Sequence, residues 1–358
     1  MGEHGLRRRP SALLVLAFVI GAALAVASPL AAAAPNFRPN SYTVTPLVSD
    51  QPGVAPHTDP NLVNAWGLTA GPMTPWWVSD NGTDVSTLYG GDGTPRSLVV
   101  SVPGGPTGTA FNPTAGFVLP TGGKALFLFD GEDGIIRGWN MAQGTTAIVV
   151  KDRSDQGAIY KGLTVADTPA GPRLYAADFH NARIDVLDGN FGLVPGGFHD
   201  PFLPKGYAPF NVQVIGNFVF VAYAKQDEEA EDEEAGQGLG FVDAYSFAGR
   251  FLGRIATRGL LNAPWGLALA PDEFGRFGGD LLVGNFGDGK IHAYRQIFGF
   301  FVPAGTLRDD SGNRIAIDGL WALRFGNDNA AGSSKTLFFT AGPDEESHGL
   351  FGTITPSN

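Results

Sequence analysis

Side chains able to bring oxygen to a metal ion or a polar ligand recur in this chain at the edges of short apolar runs. Asn64, Asn112, Asn262 and Asp318 each stand just ahead of one such run. Asp80, Asp130, Asp178, Asn285 and Asp344 each close a second run and lead into a glycine-rich or polar turn. Carboxylates and amide carbonyls are hard donors, and Ca2+ takes roughly six to eight of them. Convergence of Asn64, Asn262 and Asp318 on one point would make a cation site able to polarise a carbonyl or activate water. Asp and Asn at strand ends also bond their own turn backbone, which is the first reading of the turn set.

Other catalytic patterns are sparse. HExxH, GxSxG and Walker A sequences do not occur, and the cluster "GQGLG" does not open a helix. His4 lies near the N-terminus, while His57, His180, His199, His292 and His348 are scattered singly. His180 and His348 occupy comparable inter-strand turns, read first as exposed turn histidines and second as a base or ligand on one rim. "DGEDG" at Asp130 to Gly134 resembles part of a calcium loop, but Met141 stands where the final acidic ligand belongs. In "KQDEEAEDEEAGQG" (Lys225 to Gly238), the eight residues Asp227 to Glu234 hold seven carboxylates. Their repulsion predicts a solvated, mobile loop, with calcium-dependent ordering as the alternative.

These residues need a frame, and the frame is a repeat. Openings at "NAWGLTA", "NPTAGFVLP", "YKGLTVA", "APFNVQVIG", "APWGLALAP" and "DGLWALRFG" place Gly67, Gly116, Gly162, Phe210, Gly266 and Trp321 at spacings of 49, 46, 48, 56 and 55 residues. Each opening leads to a second and a third apolar run, and most units add a fourth. The 51 glycines and 26 prolines supply turns between such short strands. Four strands per unit is the blade of a β-propeller. The chain is therefore expected to be all-β and six-bladed, with blades at about 62–102, 111–152, 158–200, 207–256, 262–308 and 317–356. The last unit lacks a fourth strand, and residues 42–50 ("YTVTPLVSD") are expected to supply it, closing the ring and covering its edges. Trp66, Trp265 and Trp321 align by repeat position and are expected to pack between blades, with a ligand-stacking platform as the alternative.

Residues 1–34 carry Arg7 to Arg9, an apolar run from Leu13 to Val26 and then small residues, the layout of a secretory signal peptide. The expectation is an exported protein, periplasmic or extracellular, with no membrane span after cleavage. Cysteine is absent, so stability rests on the core without disulfides. The net charge is −11, and removing Glu3 and three arginines, a net +2, leaves about −13. Such a surface repels phosphate backbones, which excludes nucleic acid as a partner and favours small cations.

"RLYAADFHNARIDVLD" (Arg173 to Asp188) resembles the NHL repeat, which supports the propeller and no particular function. "DPNLVNAWGL", "PWWVSDNGTDVSTLYGGDG", "GPRLYAADFHNARIDV", "VAYAKQD" and "LNAPWGLALAP" together resemble a family of exported bacterial proteins, many with a PEP-CTERM sorting segment that "GLFGTITPSN" does not match. The resemblance implies export and a propeller, and no activity. The leading expectation is a binding or scaffold module that takes a small molecule, glycan or protein at the channel mouth. The alternative is a divalent-metal-dependent hydrolase or lactonase with its centre in the channel, on fold analogy alone.

Overall fold

The computed structural model describes residues 39–357; the expected signal peptide at 1–34 lies outside the described residues. Six antiparallel sheets follow one another along the chain, and their inner strands pack in sequence order until the sixth meets the first. The inner strands are Ala65–Thr69, Pro106–Phe111, Tyr160–Thr168, Tyr207–Ile215, Pro264–Leu269 and Leu320–Phe325. The chain is a six-bladed β-propeller. Among the described residues no helix is long and apolar enough to cross a membrane.

The ring closes as the strand count requires. Tyr42–Ser49 pairs antiparallel with Leu350–Pro356, from Tyr42 opposite Pro356 to Ser49 opposite Leu350. Tyr42 then anchors the closure in blade five, where its hydroxyl donates to Phe274 O at 3.2 Å and its ring stacks on Phe277. Blade two differs from the sequence expectation. Its inner strand is Pro106–Phe111, ahead of the run beginning at 111, and Val118 and Lys124 bridge in an excursion beyond that strand.

Every inner strand breaks its pairing register at one place, at Ala65/Leu68, Pro106/Thr109, Tyr160/Leu163, Pro209/Asn211, Pro264/Gly266 and Leu320/Leu323. Such bulges re-aim side chains. The residues inside them include Trp66, Thr107, Lys161, Phe210, Trp265 and Trp321, one per blade. Beside them the strands come close: a Cβ on Gly67 would stand 2.4 Å from Thr107 O, so only glycine fits. Blade four has Asn211 at this level, and its amide donates to Trp265 O at 2.8 Å.

The aromatic members of this set meet across the axis. Trp66 and Trp321 stack with centroids 3.7 Å apart, and Phe210 and Trp265 meet Trp321 edge-on at 5.8 and 5.9 Å. Phe286 stacks on the same indole at 4.1 Å. Phe210 belongs to blade four and Trp321 to blade six, which are not neighbours. The tryptophans thus pack between neighbouring blades, as expected, and the contact from Phe210 carries that packing across the axis as a plug. The bulge supplies the reason, since it turns them inward.

Candidate functional site

Above the plug, on the face where inner strands begin, Lys161 holds the bulge position that tryptophan holds in blades one, five and six. Its side chain is 1% exposed, and its ammonium lies 5.3 Å from the centre of the Trp66 ring. A buried ammonium needs anions, and two carboxylates supply them. Glu132, in the turn after Phe127–Gly131, accepts at 2.5 Å, and Asp232, from the acidic run of blade four, at 2.7 Å.

A hydrogen-bond chain extends the site across two more blades. Asn81 donates to Glu132 at 2.9 Å; Asn64 donates to Asn81 at 3.2 Å and to Glu346 at 2.5 Å. The Trp321 indole N–H donates to Asn64 Oδ1 at 2.9 Å, joining this layer to the plug. Glu346 reaches Asn64 from a strained turn in which Asp344, Glu345 and Glu346 all have left-handed φ, at 57°, 53° and 65°. Each non-glycine residue held there costs about 1–2 kcal/mol. Such strain is characteristic of functional sites.

The electrostatics are those of crowded carboxylates. Burial alone would lower the Lys161 ammonium, but Glu132, Glu233 and Asp232 outweigh it and hold it well above its ordinary value. Glu233 is pushed up to about 8 by burial, against the pull of Lys161 and with Glu346 and Asp232 adding to the rise. Burial also raises Glu346, although its bond from Asn64 opposes the change. The site thus sets Glu132 and Asp232 on a fixed ammonium, and beside them Glu233 and Glu346, both raised by burial.

The acidic run lies over this mouth, with Glu228, Glu229, Glu231 and Asp232 solvated as its repulsion predicts, and it is tied down at several points. Glu233–Glu234 forms a short strand against Lys225 and Gln226, and Glu234 pairs with Lys225. The Glu231 N–H donates to Asp227 at 2.9 Å, the Gly236 N–H to Asn262 at 2.6 Å, and His180 bonds Ala230 O at 3.2 Å. Internal cations and backbone donors offset the repulsion, and Glu228, Glu229 and Glu231 remain exposed.

The residues singled out from sequence fall in several places. Asn64 is in the site, Asn262 fastens the flap, and exposed Asp318 accepts from the Asp344 N–H at 2.9 Å. These three share no hydrogen-bond partner. Asn64 Oδ1, Asn262 Oδ1 and Asp318 Oδ2 each accept from a separate protein donor, and Lys161 supplies a positive charge at the mouth. Asn112 follows the inner strand of blade two and lies at the opposite end of the channel, where it orders its own loop through Gly116, Ala125 and Thr114. Its expected place at the mouth followed from reading the inner strand too late in the chain.

Asp80, Asp130, Asp178 and Asn285 are buried within their blades. Asp80 accepts from the Thr87 N–H, and Asp130 from Thr107 and Gly108. Asp178 binds Asn181 and Arg183, and Asn285 donates to Leu260 O. Burial raises Asp80 and Asp178 and pushes Asp130 up to about 7. His348 pairs with Asp50 at 2.7 Å and does not join His180. In "DGEDG", Glu132 serves Lys161 while Asp133 pairs with Arg137, so the segment is not a calcium loop. Lys161 and Glu346 carry no sequence signal of their own, while Glu132 falls in "DGEDG" and Asp232 and Glu233 in the acidic run, without the lysine they surround; aligning "YKGL" with "AWGL" exposes that lysine.

No family model matches the chain. An uncharacterized protein of Acanthamoeba polyphaga mimivirus is 33% identical over 340 residues, spanning 89% of this chain and 82% of the viral one. This chain belongs to the same family. Among solved structures, a protein of unknown function from Bacteroides thetaiotaomicron aligns with a TM-score of 0.56 at 12% identity, covering 88% of this chain and 76% of that one. A streptogramin B lyase aligns at 0.51 with 9% identity, covering 88% and 97%. At such identities the two structures share the family's ring fold and speak to nothing finer.

Proposed function

We propose that the protein is an exported binding module that recognises a positively charged ligand, Ca2+ or an amine-bearing molecule, at the channel mouth beneath the acidic flap. The observation that carries this reading is the convergence of Glu132, Asp232, Glu233 and Glu346 around one lysine, under a flap with three further exposed glutamates. Such a field draws cations from solution and weakens with salt. The leader-like residues 1–34 and the absence of cysteine support export.

The test is calorimetric titration with CaCl2 and, separately, with spermidine at low ionic strength. A flap variant combining Glu228→Gln, Glu229→Gln and Glu231→Gln should bind at least tenfold more weakly. Absence of binding by both probes, or equal binding by the flap variant, would overturn the reading. A hydrolase is the second reading, favoured by Glu233, whose carboxyl burial pushes up to about 8 beside Lys161, so that it carries the proton a general acid needs. Lactone hydrolysis lost in Glu233→Gln would support it.

A further inference from the structure

We propose that the far end of the channel holds a second site, for a small monovalent anion, built on Arg324. Arg324 lies near the end of the inner strand Leu320–Phe325, below the aromatic plug and away from the acidic mouth. Its Nε donates to Leu68 O at 3.2 Å, and it forms no ion pair among the described residues. Burial is the one cause acting on its guanidinium, which is pushed down to about 10, and no carboxylate contributes. Among the other buried or half-buried arginines, Arg137 binds Asp133, Arg153 binds Asp185, and Arg254 binds Asp200 and Asp243, while Arg173 and Arg308 bond backbone carbonyls away from the channel. In a chain of net charge −11, a cation on the channel wall with no carboxylate partner among the described residues calls for an explanation.

The surroundings supply it. Arg324 borders a small cavity whose wall includes Leu68, Thr109, Leu163, Gln213 and Leu267. The cavity is about 10 Å³, room for a single water-sized group. The Thr109 hydroxyl is buried with no partner, and it lines the same space. A half-buried charge with no ion to compensate it is unfavourable, and the unpaired buried hydroxyl of Thr109 adds to that. One halide ion, or one carboxylate group entering from the lower mouth, satisfies both: the guanidinium provides charge and paired N–H donors, and Thr109 adds an O–H. The leucine collar excludes bulkier polyanions such as phosphate esters.

The experiment is 35Cl NMR line broadening of sodium chloride by the whole protein, with sodium acetate as competitor. The acidic surface keeps background chloride binding low. The wild type should broaden the line, acetate should reverse the broadening, and Arg324→Met should reduce it at least tenfold at unchanged thermal stability or better. Broadening lost in Arg324→Met but insensitive to acetate supports the site as halide-selective. Broadening that is absent, or that persists undiminished in a folded Arg324→Met, overturns the proposal. If Arg324→Met does not fold, Thr109→Val keeps the charge and removes the hydroxyl; it should weaken chloride binding several-fold, and unchanged binding there also overturns it.

Discussion

Glu233 makes the stability of the propeller fall as pH rises through neutrality. Its carboxyl sits between Lys161, which favours ionisation, and Asp232 and Glu346, which oppose it, and burial decides the balance by pushing it up to about 8. An unfolded glutamate releases its proton near 4.5, so between those values the folded state holds a proton that the unfolded state has lost. The stabilisation is fully present below about 4.5 and is lost as pH rises through 8. Each pH unit inside the window costs at most about 1.4 kcal/mol, so the fold loses up to about 3 kcal/mol between pH 5 and 7.5. Asp130 and Asp243, both pushed up to about 7 by burial, act with the same sign. Lys161 is raised as a base, so its contribution fades only in strongly alkaline solution and leaves this window flat. Urea unfolding at pH 5, 6, 7 and 7.5 should show the decline, and Glu233→Gln should remove its Glu233 share. A wild-type stability that rises over this range, or a Glu233→Gln slope equal to that of the wild type, would refute the reasoning.

Three further substitutions probe the frame around the site. Gly67→Ala should lower stability by about 1–3 kcal/mol, read as a fall in urea midpoint, because its Cβ meets the Thr107 and Thr109 backbone at 2.4 and 2.8 Å. Trp321→Phe removes the indole donor from Asn64 Oδ1 and should cost about 1–3 kcal/mol, with near-ultraviolet circular dichroism reporting the lost Trp66 stack. Phe298→Asn should stabilise by about 1 kcal/mol in thermal unfolding: Phe298 is 98% exposed at φ 49°, followed by Gly299 at φ 86°, in a two-residue hairpin turn that favours Asn-Gly.

The ring was legible because its period is carried by apolar runs and by glycines that only close strand packing explains. Blade two slipped for a physical reason. Its inner strand, "PTGTAF", carries Thr107-Gly108 where other blades carry an aromatic residue or Lys161, so the more apolar stretch around Phe117 and Leu119 looked like the opening. The site was half legible. Asn64 was found from its place ahead of an inner strand, and the acidic run from its composition. The partner of that run was not, because Lys161 stands alone in a sequence of apolar and small residues and acquires its role only when a bulge turns it to the axis. Glu346 was hidden more deeply, since its approach to Asn64 depends on three consecutive left-handed residues that no propensity favours.

The plug decides what kind of recognition this ring can perform. An open propeller channel offers one continuous site, whereas here Trp66, Phe210, Trp265 and Trp321 close the axis and divide it into two chambers. The upper chamber gathers carboxylates around an internal cation, and the lower one holds a cation without a carboxylate. Because Lys161 already supplies the charge that a bound metal would bring, the upper carboxylates do not need an ion to hold the fold, and a ligand arriving there must compete for them or engage the flap glutamates outside. Recognition on such a surface is set by the flap and by the protonation of Glu233 and Glu346, while the lower chamber selects by size. The two ends are thus opposite in charge, with an aromatic layer between them that is tied to the mouth by the bonds from Trp321 to Asn64 and from Trp265 to Lys161 O.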